Sequence, residues 1–140
     1  IFVHPDCFPA SDATALAPDG PLAEEVFPGA YGWASWYWRH LVVDRRLLAE
    51  AEAIARMTSA PARAIGIEDR GVVAAGAFAD IAVFDPASYR DRASLEEPNV
   101  LAEGMAHVFV NGTPTLLDGR LTGLRGGRVL RRGERSEHRD

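Results

Sequence analysis

From Tyr31 to Val43 apolar and aromatic residues recur at helical spacing, with Trp33, Trp36, Tyr37, His40 and Leu41 on one face. Trp38 and Val42 add apolar surface on a second face, so the pattern predicts a helix buried on more than one side. A second helix is predicted over 47–57. Leu47, Leu48, Ala51, Ile54 and Ala55 form its stripe, and Arg45, Arg46, Glu50, Glu52 and Arg56 decorate the rest. A third, short helix starts near Pro61. Thr58 or Ser59 stands where a capping hydroxyl is useful, Pro61 suits a first turn, and Gly66 is placed to end it.

After Gly66 the period shortens. Val72-Val73, Ile81 to Phe84, His107 to Val110, Thr115 to Leu117 and Arg128 to Leu130 read as short strands. Asn111-Gly112 is a hairpin signal, because both residues tolerate positive φ. Tyr89 to Pro98 is charged and reads as a surface loop, and the charged tail from Arg131 to Asp140 reads as disordered. Before the helices, a short strand is predicted near Asp6 to Ala10, although Pro5 and Pro9 argue against a well-paired central strand. Ser11 to Gly29, with Pro18, Asp19-Gly20, Pro21 and Pro28, reads as a long loop of the kind that often carries function. The pattern is a helical first half and an all-β second half.

Composition narrows the function classes. At 140 residues, 47% hydrophobic and 25% charged, the chain can bury a real core as a soluble globular protein. A net charge of -5 excludes the basic footprint of a nucleic-acid binder. All 15 basic residues are Arg, which has no functional reading here. Cys7 is the single cysteine, so no internal disulfide forms, and a reducing, cytoplasmic setting is expected. No apolar run approaches a membrane span, and no signal peptide opens the chain. The first residue is Ile1 rather than Met, which leads to the expectation of a larger parent protein.

Asp12 is the leading candidate for chemistry. It follows the strand expected near Asp6 to Ala10 and opens the long loop. A carboxylate at the C-terminal end of a barrel strand faces an active-site mouth, where it holds a divalent metal or acts as general base. The alternative is that Asp12 only ties down its own turn. His4, His40, His107 and His138 form no His-x-His or His-x-x-x-His pair, so no complete metal site is written in the chain. His4, Asp6 and Cys7 could make a partial ligand set, with Cys7 as a small buried hydrophobe the alternative. Trp33, Trp36, Tyr37 and Trp38 read as core packing or, alternatively, as an aromatic binding platform.

These residues resemble the amidohydrolase superfamily, in its branch of N-acyl-D-amino-acid deacylases (D-aminoacylases). The resemblance is carried by Ser11-Asp12, Gly29-Ala30-Tyr31-Gly32, Met57-Thr58-Ser59-Ala60-Pro61-Ala62 with Gly66, and Asp69-Arg70-Gly71. It continues through Gly76-Ala77-Phe78-Ala79-Asp80-Ile81-Ala82-Val83-Phe84-Asp85, Val108-Phe109-Val110-Asn111-Gly112 and Gly127-Arg128-Val129-Leu130. The resemblance implies an α/β fold: the last βα unit of a (β/α)8 barrel over 1–68, then the C-terminal strands of a small β-sandwich over 69–132 and a tail over 133–140. It implies a zinc-dependent enzyme of one or two ions, acting on a small-molecule linear amide such as an N-acyl-(D-)amino acid. Asp12 matches the family's aspartate after the eighth barrel strand, which assists the metal-bound water and then protonates the leaving amine. Asp12 is also a candidate metal ligand, and Ser11 and Tyr31 would line the substrate mouth. The family's metal histidines and its ligating Cys or Lys lie on earlier strands that are absent here, and Cys7 does not match the ligand cysteine. The family's Arg for a substrate carboxylate, in the loop before the aromatic helix, corresponds to Gly29, which removes a bidentate partner.

The expected function is therefore the C-terminal part of a metal-dependent amidohydrolase that needs its N-terminal barrel segment, with no nucleic-acid or membrane partner and with homo-oligomerisation left open. The rival is a non-catalytic β-rich binding or structural module. Upstream coding sequence with a His-x-His pair after a strand would separate the two.

Overall fold

The computed structural model describes residues 2–12, 16, 20–27 and 29–131, so the charged tail beyond Arg131 lies outside the described residues. The chain divides into two units, Ile1–Glu50 with Asp85–Gly104, and Ala51–Phe84 with Met105–Asp140. Among the described residues no helix is long and apolar enough to cross a membrane.

In the first unit, α1 (Trp33–Trp38) runs directly into a π-helical segment (Arg39–Asp44). The Arg45 amide donates to the His40 carbonyl across the wider π turn, at 3.2 Å. Arg39 Nε meets Asp44 Oδ1 at 3.0 Å over the same five-residue step. Tyr37, Trp38, Leu41 and Val42 form the core, together with Ser35, Leu48 and Tyr89. Trp36, expected on the buried stripe, is instead 40% exposed. It stacks on His40 at 4.7 Å and meets Phe2 edge-on at 5.8 Å.

The strand expected near Asp6 to Ala10 does not form. The Cys7 amide closes a turn on the His4 carbonyl at 3.0 Å, and the segment joins no strand ladder. A strand is defined by its neighbours, and Pro5 and Pro9 each withhold a donor that a ladder would need.

Asp85–Gly104 leaves β1 and returns to β2 as a braced excursion. At its base the Asp85 amide donates to the Gly104 carbonyl at 2.9 Å, and Arg90 and Glu103 exchange backbone hydrogen bonds at 3.2 and 3.0 Å. The Arg90 guanidinium also reaches Glu103 Oε2 at 2.9 Å. Tyr89, at the edge of the expected surface loop, is buried, and burial raises its phenol above the ordinary value. The exposed Asp85 carboxyl is lowered, first by the Ser88 hydroxyl at 2.7 Å and then by the Ala87 amide at 3.0 Å.

In the second unit, β1 (Ile81–Phe84), β2 (Met105–Val110), β3 (Thr113–Leu117) and β4 (Arg120–Leu121) form one antiparallel sheet in sequence order. Ile81 pairs with Phe109 and Val83 with His107, while Val110 pairs with Thr113. The Asn111-Gly112 hairpin forms as the pattern predicts, with φ of 50° and 76°. The positive pair matches the twist of the flanking strands. Asp118-Gly119 repeats the device at φ 48° and 72°, producing β4, which the sequence reading omitted. Val72-Val73 and Arg128 to Leu130 are not strands, and Val73 and Val129 are 89% and 85% exposed. Their apolar side chains have no sheet face to occupy.

Helix α2 (Glu50–Met57) buries Ala53 and Arg56 instead of the expected Ala51 face. Arg56 is tied to Glu52 at 2.6 Å. Helix α3 (Ser59–Ala64) follows at once. The Thr58 hydroxyl donates backward to the Ile54 carbonyl at 2.7 Å and does not cap α3. Gly66 ends α3 as expected: the Ile67 amide reaches Ala62 and the Gly66 amide reaches Arg63, the double bond of a Schellman turn.

One buried cation ties this unit together. Arg70, 8% exposed, donates to Asp80 Oδ2 and, at 2.5 Å, to Asn111 Oδ1. Asp80 Oδ1 accepts the Asn111 amide at 2.8 Å, and Asn111 Nδ2 donates to the Gly126 carbonyl at 2.5 Å. A Cβ at Gly126 would stand 2.2 Å from the Val110 carbonyl, so only glycine allows that approach. The Arg70 and Arg128 guanidiniums each lie 4.3 Å from the Phe78 ring centroid.

Replacing Arg70 by Ala leaves Asp80 and Asn111 facing an emptied site. Removing one partner of a buried pair costs several kcal/mol, and the partial exposure of Asp80 reduces this to about 2–3 kcal/mol. The denaturation midpoint of the protein carrying this chain is expected to fall accordingly. A second expectation concerns alkali. Tyr89 has a raised folded pKa, so its contribution is complete below the ordinary tyrosine pKa of about 10 and is lost as pH rises through the folded value. Tyr89→Phe is therefore expected to flatten the alkaline limb of a stability–pH profile.

Candidate functional site

Ser11 and Asp12 are exposed and stand at the end of the irregular segment that opens the chain. Neither makes a hydrogen bond or ion pair to another described residue. Of the loop that follows, residues 13–15, 17–19 and 28 lie outside the described residues. Its second half is built from consecutive turns: Ala23 to Gly20 at 3.0 Å, Glu25 to Leu22 at 3.1 Å and Ala30 to Phe27 at 3.0 Å, each amide donating to the earlier carbonyl.

Gly29 converts this loop into α1. Its φ is +87°, and its carbonyl accepts the Trp33 amide at 3.1 Å, the first turn of the helix. Tyr31 sits half-buried in that turn, just before Gly32. Ser11, Asp12 and Tyr31 thus share one unit and bracket one loop, and no hydrogen bond among described residues joins them. Gly29 is thus a left-handed backbone position, where any Cβ is strained.

The metal reading can be tested against the same residues. His4 Nδ1 accepts the Asp6 amide at 3.3 Å and lies 3.8 Å from Asp6 Oδ2, and both side chains are exposed. Cys7 is a half-buried thiol, more exposed than the small core hydrophobe considered above. Among the described residues no three His, Cys, Asp or Glu side chains gather as a metal would require. Zinc sites take about four donors, so the described residues do not fit a zinc site by themselves. The apolar cavity of about 370 Å³ belongs to the second unit and is lined by Ala64, Ile65, Ile67, Leu130 and Arg131.

The motifs behind the family resemblance converge. Asp69-Arg70-Gly71, Phe78 to Asp80, Asn111-Gly112 and Gly127-Arg128 are far apart in sequence, yet each sends one or two residues (Arg70, Phe78, Asp80, Asn111 and Arg128) into the Arg70 cluster. Residues 17–116 match the model of the Amidohydrolase family. The chain belongs to that family. A D-aminoacylase of Alcaligenes xylosoxydans xylosoxydans is 38% identical over 120 residues, covering 85% of this chain and 25% of the relative. The N-acyl-D-glutamate deacylase of the same organism is 36% identical over 134 residues, 94% of this chain and 26% of the relative. A solved D-aminoacylase superposes with a TM-score of 0.72 at 37% identity, over 76% of this chain and 22% of that one. The N-acyl-D-glutamate deacylase of Bordetella bronchiseptica, solved with zinc and a phosphonate mimic of the tetrahedral intermediate, gives 0.61 at 40% identity, over 68% and 21%. The chain spans about a quarter of the length of the curated relatives it matches.

In this amidohydrolase segment the sequence reading passed over Asp91 and Asn99, which the structure brings onto the loop before α1. A single sequence holds no spacing signal for contacts between such distant segments. Gly29→Ala is expected to lower stability by about 1 kcal/mol, the penalty of a Cβ in the left-handed region, with open space around the new methyl. A thermal melt of the protein carrying the chain checks this.

Proposed function

We propose that this chain is the C-terminal part of a zinc-type amidohydrolase that hydrolyses the amide bond of N-acyl-(D-)amino acids. The observation that carries the reading is the match, over most of this chain, to three deacylases named for that chemistry. They are a D-aminoacylase, an N-acyl-D-glutamate deacylase and an N-acyl-D-aspartate deacylase, at 38%, 36% and 35% identity. On this reading residues 1–68 complete a (β/α)8 barrel, 69–132 belong to a small β-sandwich and 133–140 form a tail. The setting is cytoplasmic, consistent with the single cysteine.

Asp12 supplies the proton chemistry. Its carboxylate takes a proton from the water that attacks the amide carbonyl, then delivers it to the amine nitrogen as the C–N bond breaks. The products are a carboxylic acid and a free amine. The exposed carboxylate, unpaired among described residues, is free to face such a substrate. Ser11, Tyr31 and the loop between them shape the mouth. The solved relatives hold zinc in one case and a binuclear metal centre in another. The same class of ion is proposed for the intact protein, held largely by residues outside this stretch. Asp12 is the one ligand candidate within it.

Three outcomes test the reading. Asp12→Asn in the intact protein lowers kcat for an N-acyl-D-amino acid at least about a hundredfold, with the unfolding midpoint unchanged. Near-normal turnover removes Asp12 from the chemistry. Because Gly29 replaces the expected Arg, kcat/KM favours the free acid over its amide by less than about a hundredfold, roughly 2.7 kcal/mol. A stronger preference places the carboxylate's partner elsewhere. Residues 1–140 expressed alone release no amine from such substrates and retain no stoichiometric zinc in metal analysis. A tight zinc site there would move the chemistry onto His4, Asp6, Cys7 and Asp12.

A further inference from the structure

Within the first unit, the excursion Asp85–Gly104 meets the Ile1–Glu50 stretch at four points. The Trp38 indole donates to the Pro86 carbonyl at 3.3 Å, and Arg39 Nη1 donates to the Ala87 carbonyl at 3.1 Å. Those two contacts hold the junction of α1 with the π-helical segment. The other two hold the loop in front of α1. Asn99 Nδ2 donates to the Glu25 carbonyl at 2.8 Å. The Asp91 carboxylate lies against Gly32, so closely that a Cβ on Gly32 would stand 2.1 Å from Asp91 Oδ1.

Both grips are prepared locally. Asp91 Oδ1 accepts the Ala93 amide at 2.9 Å, which fixes the carboxylate's direction. Ser94 Oγ accepts the amides of Glu96 and Glu97 at 3.2 and 3.0 Å, which turns the chain just before Asn99. Asn99 Oδ1 is buried with no hydrogen-bond partner among the described residues. A sheltered amide oxygen left unpaired is destabilising. Stability alone favours an apolar residue at such a place, and local violations of this kind mark positions kept for another purpose. What Asn99 does with its remaining half is hold the loop that leads to Gly29 and Tyr31.

We propose that Asp85–Gly104 is a strap that sets the shape of the substrate mouth, with Asn99 and Asp91 as positioning residues for the Gly20–Tyr31 loop. This rests on the reading of that loop as the mouth. Neither residue touches the reacting atoms. Each acts through the backbone it holds, so loosening either one weakens substrate binding more than it slows the chemical step.

The test uses the intact protein and two measurements on Asn99→Ala, Asp91→Ala and Asp91→Asn. Hydrogen exchange is read by mass spectrometry in peptides covering 20–31, with 105–117 as the control. Kinetics are read with N-acetyl-D-glutamate. Asn99→Ala, which loses the hydrogen bond to the Glu25 carbonyl, and Asp91→Ala, which loses the packing of the carboxylate against Gly32, are each expected to speed exchange in 20–31 about fivefold and to leave 105–117 unchanged. KM is expected to rise about fivefold or more, with kcat kept within about twofold. Asp91→Asn keeps an acceptor for the Ala93 amide and the same volume beside Gly32, so it restores both readouts. Unchanged exchange in 20–31 overturns the grip. Faster exchange at constant KM overturns its role at the mouth. Faster exchange across 105–117 as well makes these contacts general stability and overturns the local role. If the parent protein turns over no N-acyl amino acid, the proposed function fails, and the exchange data still decide whether the strap holds the loop.

Discussion

The second unit depends on one guanidinium. Arg70 is buried, always charged and forked, and its two Nη donors go to two different segments. Asp80 leads into β1, Asn111 turns β2 into β3, and Gly126 lies on the strand-less segment that follows. None of these segments is long enough to hold its own place. Sheet register, hairpin geometry and the course of residues 122–131 share a single charge centre, with Phe78 between it and Arg128. A lysine ammonium is a single point charge without the rigid fork whose two nitrogens reach the two acceptors separately.

In the first unit the core is a helical stripe displaced by one position from the one the sequence pattern suggests. A regular helix would bring Trp33, Trp36, Tyr37, His40 and Leu41 to one face. The face actually buried is the neighbouring stripe, Tyr37 with Trp38 and Leu41 with Val42, at i, i+1, i+4 and i+5. Trp36 and His40 are left as an outward stack. The aromatic residues divide between core and surface, so the choice between packing and platform resolves residue by residue. The indole of Trp38 joins both roles, since it is buried and still finds a carbonyl acceptor on Pro86.

Much of this was legible where a local rule decides the outcome. Asn111-Gly112 had to be a tight hairpin because few other dipeptides accept two positive φ values, and Gly66 had to end α3 for the same reason. Asp118-Gly119 carried the same signal, and β4 was recoverable from it. Strands whose existence depends on a neighbour were less legible. Val72-Val73 and Arg128 to Leu130 have the composition of strands and no partner among the described residues, and composition says nothing about partners. The candidate site divides in the same way. Asp12 was named from its place at the head of the long loop and then from motif resemblance, and Ser11 and Tyr31 from resemblance alone. Asn99 and Asp91 act on backbone dozens of residues away, and their meaning exists only once the chain is folded.

The hub of the Arg70 cluster is also the chemically weakest dipeptide in the chain. Asn-Gly is the pair most prone to deamidation, because the unhindered glycine nitrogen can attack the asparagine side-chain carbonyl and expel ammonia. In this fold that attack is obstructed. The Asn111 side chain is held by Arg70 on its oxygen and by Gly126 on its nitrogen, and the Gly112 nitrogen is committed to the Ala79 carbonyl at 2.9 Å. Ring closure requires the Gly112 nitrogen to leave the Ala79 carbonyl and the Asn111 side chain to turn away from Gly126, so the hairpin ages at the rate at which the cluster breathes. Once converted, the new carboxylate would face the Gly126 carbonyl with no proton to offer. The same residue that shapes the turn is thus a clock that runs while the sheet is loosened.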